Sequence, residues 1–270
     1  MDLIILFCSI ITGNPSSQYA GKIRFQCRPS FKNATTKIFQ SPFIKGIATR
    51  CLPCYSFIMD LKLESSAPQP SSLVTEARYQ RIVRFLTTRQ ETLRLFLDDV
   101  KNAHNISAVI RTCDATGVFY LHYHLSEASL SINRGISLGS ERWIKRERVI
   151  DKAAFLDQMQ KKGYQCLATA PEGHTVDYRE VDYTLPTLII FGNEREGISD
   201  EVAHHTSQFV AIPMMGMTKS LNISVACAVI LYEAFRQRDR KNMYQTPSLP
   251  QDIFSLYLKK WTVEECLSGR

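Results

Sequence analysis

Between residues 93 and 238, short apolar runs rich in Val, Ile, Leu and Phe alternate with helix-patterned stretches, and this alternation restricts the fold more than any other feature. Strand-like runs fall at 93–97, 119–124, 165–169, 187–191 and 209–212. The spacing between them predicts helices over about 107–116, 152–161, 201–206 and 221–238. A strand that returns to its sheet through a helix runs parallel to its neighbour, and strands apolar on both faces need cover on both. The expectation is an α/β fold: a parallel sheet with helices on both faces.

The rest of the chain is organised around that block. Residues 1–58 carry seven Lys/Arg and one acid, Asp2, so most of the net charge of +7 belongs to them. From Met59 onward 26 basic residues face 25 acidic ones, so nucleic-acid binding by the folded part requires a local patch. The stretch 13–58 is rich in Ser, Thr, Lys and Arg and has no Asp or Glu. That is the composition of an organellar transit peptide, plastid ahead of mitochondrion. The alternative is a start at Met59 and a cytoplasmic protein. Residues 59–75 read as a linker, 76–92 as a basic helix, 93–240 as the main domain and 241–270 as a weakly amphipathic extension. In the basic helix Ile82, Phe85 and Leu86 form an apolar face, and Arg78, Arg81, Arg84 and Arg89 form the other.

Several chemistries are excluded by motif. No GxGxxG follows the first strand and no GxxxxGK[ST] occurs, which removes the usual dinucleotide and P-loop sites. No run reaches the roughly 20 apolar residues of a membrane span. Cys51 and Cys54 form a lone CxxC without a second pair, and Cys113, Cys166 and Cys227 fall in strand or helix patterns as buried thiols. His122 and His124 read as structural or surface residues, and no metal is expected.

Three segments place small and polar residues at the ends of strands or the starts of helices, where donors gather in open α/β folds. They are N-I-S-A-V-I-R at 105–111 with Gly117 closing the unit, F-G-N-E-R-E-G at 191–197, and the stretch from Ile212-Pro213-Met214 to Ser220-Leu221-Asn222-Ile223-Ser224. Asn105 reads as a helix cap with Arg111 projecting from the second turn. Glu194, just past a strand end, is placed to pair with a guanidinium. Ser220 and Asn222 open the last helix, where free N–H groups favour an anion.

These segments resemble the three motifs of the SPOUT ribose 2′-O-methyltransferases of the SpoU/TrmH class, over about residues 78–244. The resemblance implies an α/β sheet ending in a trefoil knot, a homodimer, and bound S-adenosylmethionine. It puts Thr169, Gly192, Ile212 and Leu221 at the cofactor and Asn105, Arg111, Glu194, Ser220 and Asn222 at the catalytic positions. The family gives the ribose proton to the arginine, here Arg111. A charged guanidinium has no acceptor, so two readings stand: a transiently neutral Arg111 as base, or an Arg111 that stabilises the forming alkoxide while phosphate or water takes the proton. The second needs only electrostatics and is favoured.

The arginine-rich helix resembles the N-terminal extension of the tRNA guanosine 2′-O-methylases. The expected activity is therefore methylation of a D-loop guanosine of tRNA, with phosphate contacts from Arg78, Arg81, Arg84 and Arg89 and from Arg236, Arg238, Arg240 and Lys241. An organellar rRNA substrate and an idle RNA-binding member of the fold are the rivals. Residues 247–270 do not match the longer basic extension of the better-known tRNA enzymes.

Overall fold

The computed structural model describes residues 74–126, 130–170 and 173–268. The basic tail, the linker up to residue 73 and the CxxC pair lie outside the described residues. The chain begins with α1 (Glu76–Thr87) and continues through β1 (Gln90–Asp98), α2 (Ala103–Thr116), β2 (Val118–His124), α3 (Arg134–Ser137) and β3 (Lys145–Arg148). It goes on with α4 (Lys152–Lys161), β4 (Gln165–Thr169), β5 (Thr175–Asp177), β6 (Thr187–Phe191), α5 (Asp200–His204), β7 (Gln208–Ala211), α6 (Ile223–Arg240) and α7 (Gln251–Ser268).

The seven strands form one parallel sheet in the order β3-β2-β1-β6-β4-β7-β5. Side chains alternate across it with period two. Leu93, Leu95 and Leu97 of β1 join Ile189 and Phe191 of β6 in a core completed by Val109, Cys113, Cys227 and Ile230 of α2 and α6. Phe96, Leu188 and Ile190 point the other way, to Leu156, Met159 and Val202 of α4 and α5. Both faces are covered, as the continuous apolar strands require.

Two strands had no apolar signature, and both lie at the sheet's edges. β3 reads Lys-Arg-Glu-Arg and β5 spans three residues. Short, charged strands are what exposed edges tolerate, because a long apolar edge recruits other chains.

Helix α2 is capped at both ends. The side chain of Asn102 accepts from the backbone N–H groups of His104 and Asn105, so the cap is Asn102 and not Asn105. Gly117 ends the helix at φ 79°, and a Cβ there would meet Thr88 O at 2.7 Å and the Tyr244 ring at 2.9 Å. Tyr244 completes that end by donating its hydroxyl to Thr116 O at 2.9 Å.

The C-terminal segment is a helix of 18 residues, more regular than its weak amphipathic pattern suggests. Its Tyr257 and Trp261 stack edge-on against Phe119 at the start of β2, and Trp261 meets Trp143 with ring centroids 5.1 Å apart. The aromatic payload, each ring burying a large area, holds α7 against α1 and the sheet.

Candidate active site

The parallel strands all end on one side, and β1, β6, β4 and β7 are successive neighbours there. The three motif segments emerge at this edge. The loop after β6 is stapled shut: Asn193 and Gly197 exchange backbone hydrogen bonds of 2.8 and 2.9 Å, and Asn193 Nδ2 donates to Asp99 O at 2.8 Å. Gly192 permits this closure. A Cβ on it would lie 2.2 Å from Gly197 O and 2.5 Å from Ile198 N. A buried polar group anchors the loop's far end. Asp98, at the end of β1, accepts from Ser199 N and Oγ at 2.9 and 2.7 Å and from Lys152 Nζ at 3.2 Å. Asp98, Lys152 and Ser199 were not singled out in the sequence. Their pairing spans up to 101 residues, and only the Asp98-Asp99 doublet at a strand end hinted at it.

Asn105, Glu194 and Asn222 meet in one hydrogen-bonded chain. Asn105 Nδ2 donates to Glu194 Oε1 at 2.8 Å, and Asn105 Oδ1 accepts from Asn222 Nδ2 at 3.1 Å. Asn222 in turn caps α6, accepting from Ser224 N at 2.8 Å and Ser224 Oγ at 2.6 Å. Asn105 thus bridges the other two motifs, with Glu194 on its amide nitrogen and Asn222 on its amide oxygen. The expected pairing of Glu194 with a guanidinium is absent, and its carboxylate instead accepts from Asn105. Arg111 is exposed on α2 and has no hydrogen-bond or ion-pair partner among the described residues. It sits six residues along the helix from Asn105, roughly 9 Å along the axis. Ser220 is exposed two residues before the Asn222 cap.

Beside this chain, the segment after β7 borders a cleft of about 430 Å³, lined by Ile212, Pro213, Met214, Thr175 and Asp177 among others. A ligand-sized site falls in this range. Backbone groups over 213–221 have no hydrogen-bond partner among the described residues. Such an open backbone beside an apolar Ile212 is a donor set that fits an adenosyl group and an amino-acid carboxylate. Of the four expected cofactor residues only Ile212 lines the cleft. Thr169 closes β4 and donates to Ile190 O at 3.3 Å, Gly192 turns the loop after β6, and Leu221 precedes the α6 cap.

The expected RNA-contacting arginines divide. Arg81 and Arg84 are exposed on α1 and Arg78 is half-buried there. Arg89 is 3% exposed and bound to Asp114 through Nη2 at 2.5 Å, so it is a structural residue and not a phosphate contact. Arg238 is fully buried and is likewise corrected. Its five N–H groups are all used: Nε on Tyr183 O, Nη1 on Gln90 Oε1 and Thr92 Oγ1, Nη2 on Thr92 O and Leu185 O, at 2.8–3.1 Å. Burial lowers its pKa to about 10. Arg236 remains exposed and forms a fork with Glu233 at 2.5 and 2.7 Å. Spacing puts Arg78, Arg81, Arg84 and Arg89 on one basic side, whereas Arg236 and Arg238, expected beyond the last helix, lie within α6 and face opposite sides of it. The burial of Arg89 and Arg238 follows from contacts far away in sequence.

His122 is held neutral. Burial first, then the neighbouring charges of Arg94, Lys145 and Lys162, push its pKa down to about 3. Its 3.2 Å contact with Glu147 is therefore a neutral Nδ1–H donating to a carboxylate rather than an ion pair. Among the described residues no cluster of His, Cys, Asp and Glu is arranged for a metal, and no helix is long and apolar enough to cross a membrane.

The model of the SpoU rRNA methylase family matches residues 92–232, a span that contains all three motif segments. A tRNA (guanosine(18)-2'-O)-methyltransferase of Aquifex aeolicus is 45% identical over 199 residues, covering 73% of this chain and 94% of that protein. A Thermus thermophilus protein of the same name is 39% identical over 187 residues, 69% of this chain and 96% of its own. Among solved structures, the A. aeolicus TrmH/SpoU tRNA modifying enzyme superposes with a TM-score of 0.67 at 45% identity, over 70% of this chain and 97% of that one. The SpoU methyltransferase AviRb of Streptomyces viridochromogenes, solved with AdoMet, gives 0.51 at 30% identity over 56% and 62%. The parallel sheet, the three motifs at its C-terminal edge and these matches together place this chain in the SpoU rRNA methylase family, to which it belongs.

Proposed function

We propose that this chain transfers a methyl group from S-adenosylmethionine to the ribose 2′-oxygen of a D-loop guanosine in tRNA. One observation carries the reaction type: Asn105, Glu194 and Asn222, from three distant segments, lock together and leave Arg111 exposed without a counter-charge. The substrate is supported by relatives named for tRNA guanosine methylation that align over nearly their whole length.

When bound, S-adenosylmethionine supplies a methyl carbon made electrophilic by its sulfonium. The backbone of 212–221, with Thr169 and Gly192 at the neighbouring strand ends, would hold it. Displacement at that carbon needs the ribose oxygen in line, so positioning is a large part of the work. Arg111, with no carboxylate taking up its charge, stabilises the oxygen as it loses its proton, and water or a substrate phosphate receives that proton. The Asn105 bridge fixes the start of α2 against the 192–197 loop and thereby orients Arg111.

The family resemblance also supports a trefoil knot and a homodimer. Exposed Val225 and Tyr232 on α6 fit the homodimer. Plastid or mitochondrial targeting rests on the composition of residues 13–58.

The test is incubation with labelled methyl donor and separate tRNA and rRNA pools, followed by mapping of the modified nucleotide. Label at a D-loop guanosine of tRNA is expected. Label confined to rRNA overturns the substrate and favours the rRNA reading.

A further inference from the structure

Helix α1 does not bury the face its sequence offers. Tyr79, Ile82 and Leu86 are buried, whereas Phe85 is left 43% exposed. The Arg81 guanidinium lies over the Phe85 ring, 5.4 Å from its centroid. Both residues line two adjoining clefts of about 450 and 400 Å³. Trp143 is shared by the two clefts, and Trp261 forms a wall of the first. The Trp261 indole N–H is buried and has no acceptor. The second cleft runs to Ala115 and Thr116 at the C-terminal end of α2.

That end of α2 connects the groove to the methyl-transfer site. Ala115 stands four residues after Arg111, so the two share one helix face, roughly 6 Å apart along the axis. A groove lined by aromatic rings, with an arginine over one of them and beginning one helical turn from Arg111, matches the way proteins hold unpaired RNA bases. Its cations also suit the flanking phosphates: α1 contributes Arg78, Arg81 and Arg84 against a single acid, Glu76.

We propose that this groove, with Phe85, Arg81 and Trp143 as the stacking surface, receives an unpaired base of the RNA adjacent to the methylated nucleotide. This rests on the reading of the chain as an RNA ribose methyltransferase. It assigns substrate selection to aromatic stacking rather than to the arginines alone. A loop that cannot splay a base next to its target is then a poor substrate.

The chain has two tryptophans, half-buried Trp143 at the groove and fully buried Trp261 behind it, so intrinsic fluorescence reports on the groove chiefly through Trp143. Unmodified tRNA transcript titrated into the full-length protein is expected to quench the emission. Phe85→Ala should remove most of the quenching and raise KM for the transcript about tenfold, with kcat at saturating RNA within about twofold. Phe85→Tyr should restore both. Transcripts with an abasic site at each nucleotide flanking the target supply a second arm that requires no variant. One abasic position should match the KM of Phe85→Ala and show no added defect when combined with it. Methyl transfer with unchanged KM and quenching in Phe85→Ala, or with no sensitive abasic position, overturns the groove while leaving the activity standing. Absence of transfer to any tRNA or rRNA overturns the activity itself.

Discussion

Glu194 accepts a hydrogen bond from Asn105 Nδ2 at 2.8 Å, across 89 residues of chain, and makes no ion pair with Arg111. The relationship changes what each residue does. The acid positions the start of α2, and the arginine keeps its full charge for the substrate. Replacing Asn105 with Ala cuts the link to both Glu194 and Asn222. The bridge orients Arg111, and a misplaced group at the reacting centre costs up to about 100-fold, so kcat should fall roughly 10- to 100-fold. Because these side chains are not fully buried, the thermal midpoint should move little. Steady-state kinetics beside a melting curve check both statements.

Gly192 is needed for space and not for an unusual backbone angle. Ala there puts its methyl group into the backbone of Gly197 and Ile198, neither of which can rotate aside. Overpacking of this kind costs about 1–3 kcal/mol. The Gly192→Ala variant should therefore lose stability and, through the opened 193–197 loop, bind S-adenosylmethionine at least about tenfold more weakly. Denaturant unfolding and calorimetric titration read the two effects.

Arg238 separates a structural arginine from an RNA contact. Truncation to Ala removes its hydrogen bonds to three backbone carbonyls and two side-chain oxygens, of which Leu185 O keeps Thr187 Oγ1 as a donor. Each buried orphan costs about 1–3 kcal/mol, so a loss of about 3 kcal/mol or more is expected. Arg84→Ala, on the exposed face of α1, should leave the denaturant midpoint unchanged and lower the salt dependence of RNA binding. The opposite pattern in the two variants would return Arg238 to the RNA surface.

Acid sensitivity follows from His122. Its folded pKa of about 3 lies below the ordinary histidine value, so between about 6.5 and 3 the unfolded chain takes up a proton that the folded chain refuses. Stability is complete above that window and falls as pH drops through it. Arg94, Lys145 and Lys162 face the ring and act in the same direction as its burial, while the Glu147 carboxylate opposes them. In His122→Phe the drop in melting temperature between pH 7 and pH 4 should shrink. An unchanged drop would place the acid sensitivity elsewhere.

Much of this site was legible because its parts lie at strand ends, and strands apolar on both faces announce themselves. β1, β2, β4, β6 and β7, with α2, α4, α5 and α6, follow from that pattern, whereas the single turn of α3 does not. β3 and β5 escaped because edge strands carry charge or are too short to show a period. Asn105, Glu194 and Asn222 could be named from their segments. That they bond to one another could not, since spacing says nothing about contacts 89 and 117 residues apart. The same limit hid the burial of Arg89, whose spacing continues the basic side of α1, and of Arg238, whose partners lie between 53 and 148 residues away. The α7 helix was missed for another reason. Its hold on the fold comes from Tyr257 and Trp261 meeting Phe119 and Trp143, not from any amphipathic stripe.

The claim at the centre is that Arg111 acts on the ribose oxygen and not on the cofactor. Arg111→Ala tests it in one paired measurement, S-adenosylmethionine affinity by calorimetry and single-turnover transfer to tRNA transcript. Affinity within about threefold of the parent, with transfer slowed at least about a thousandfold, is the predicted result. Transfer near the parental rate would contradict the account, whichever group takes the proton.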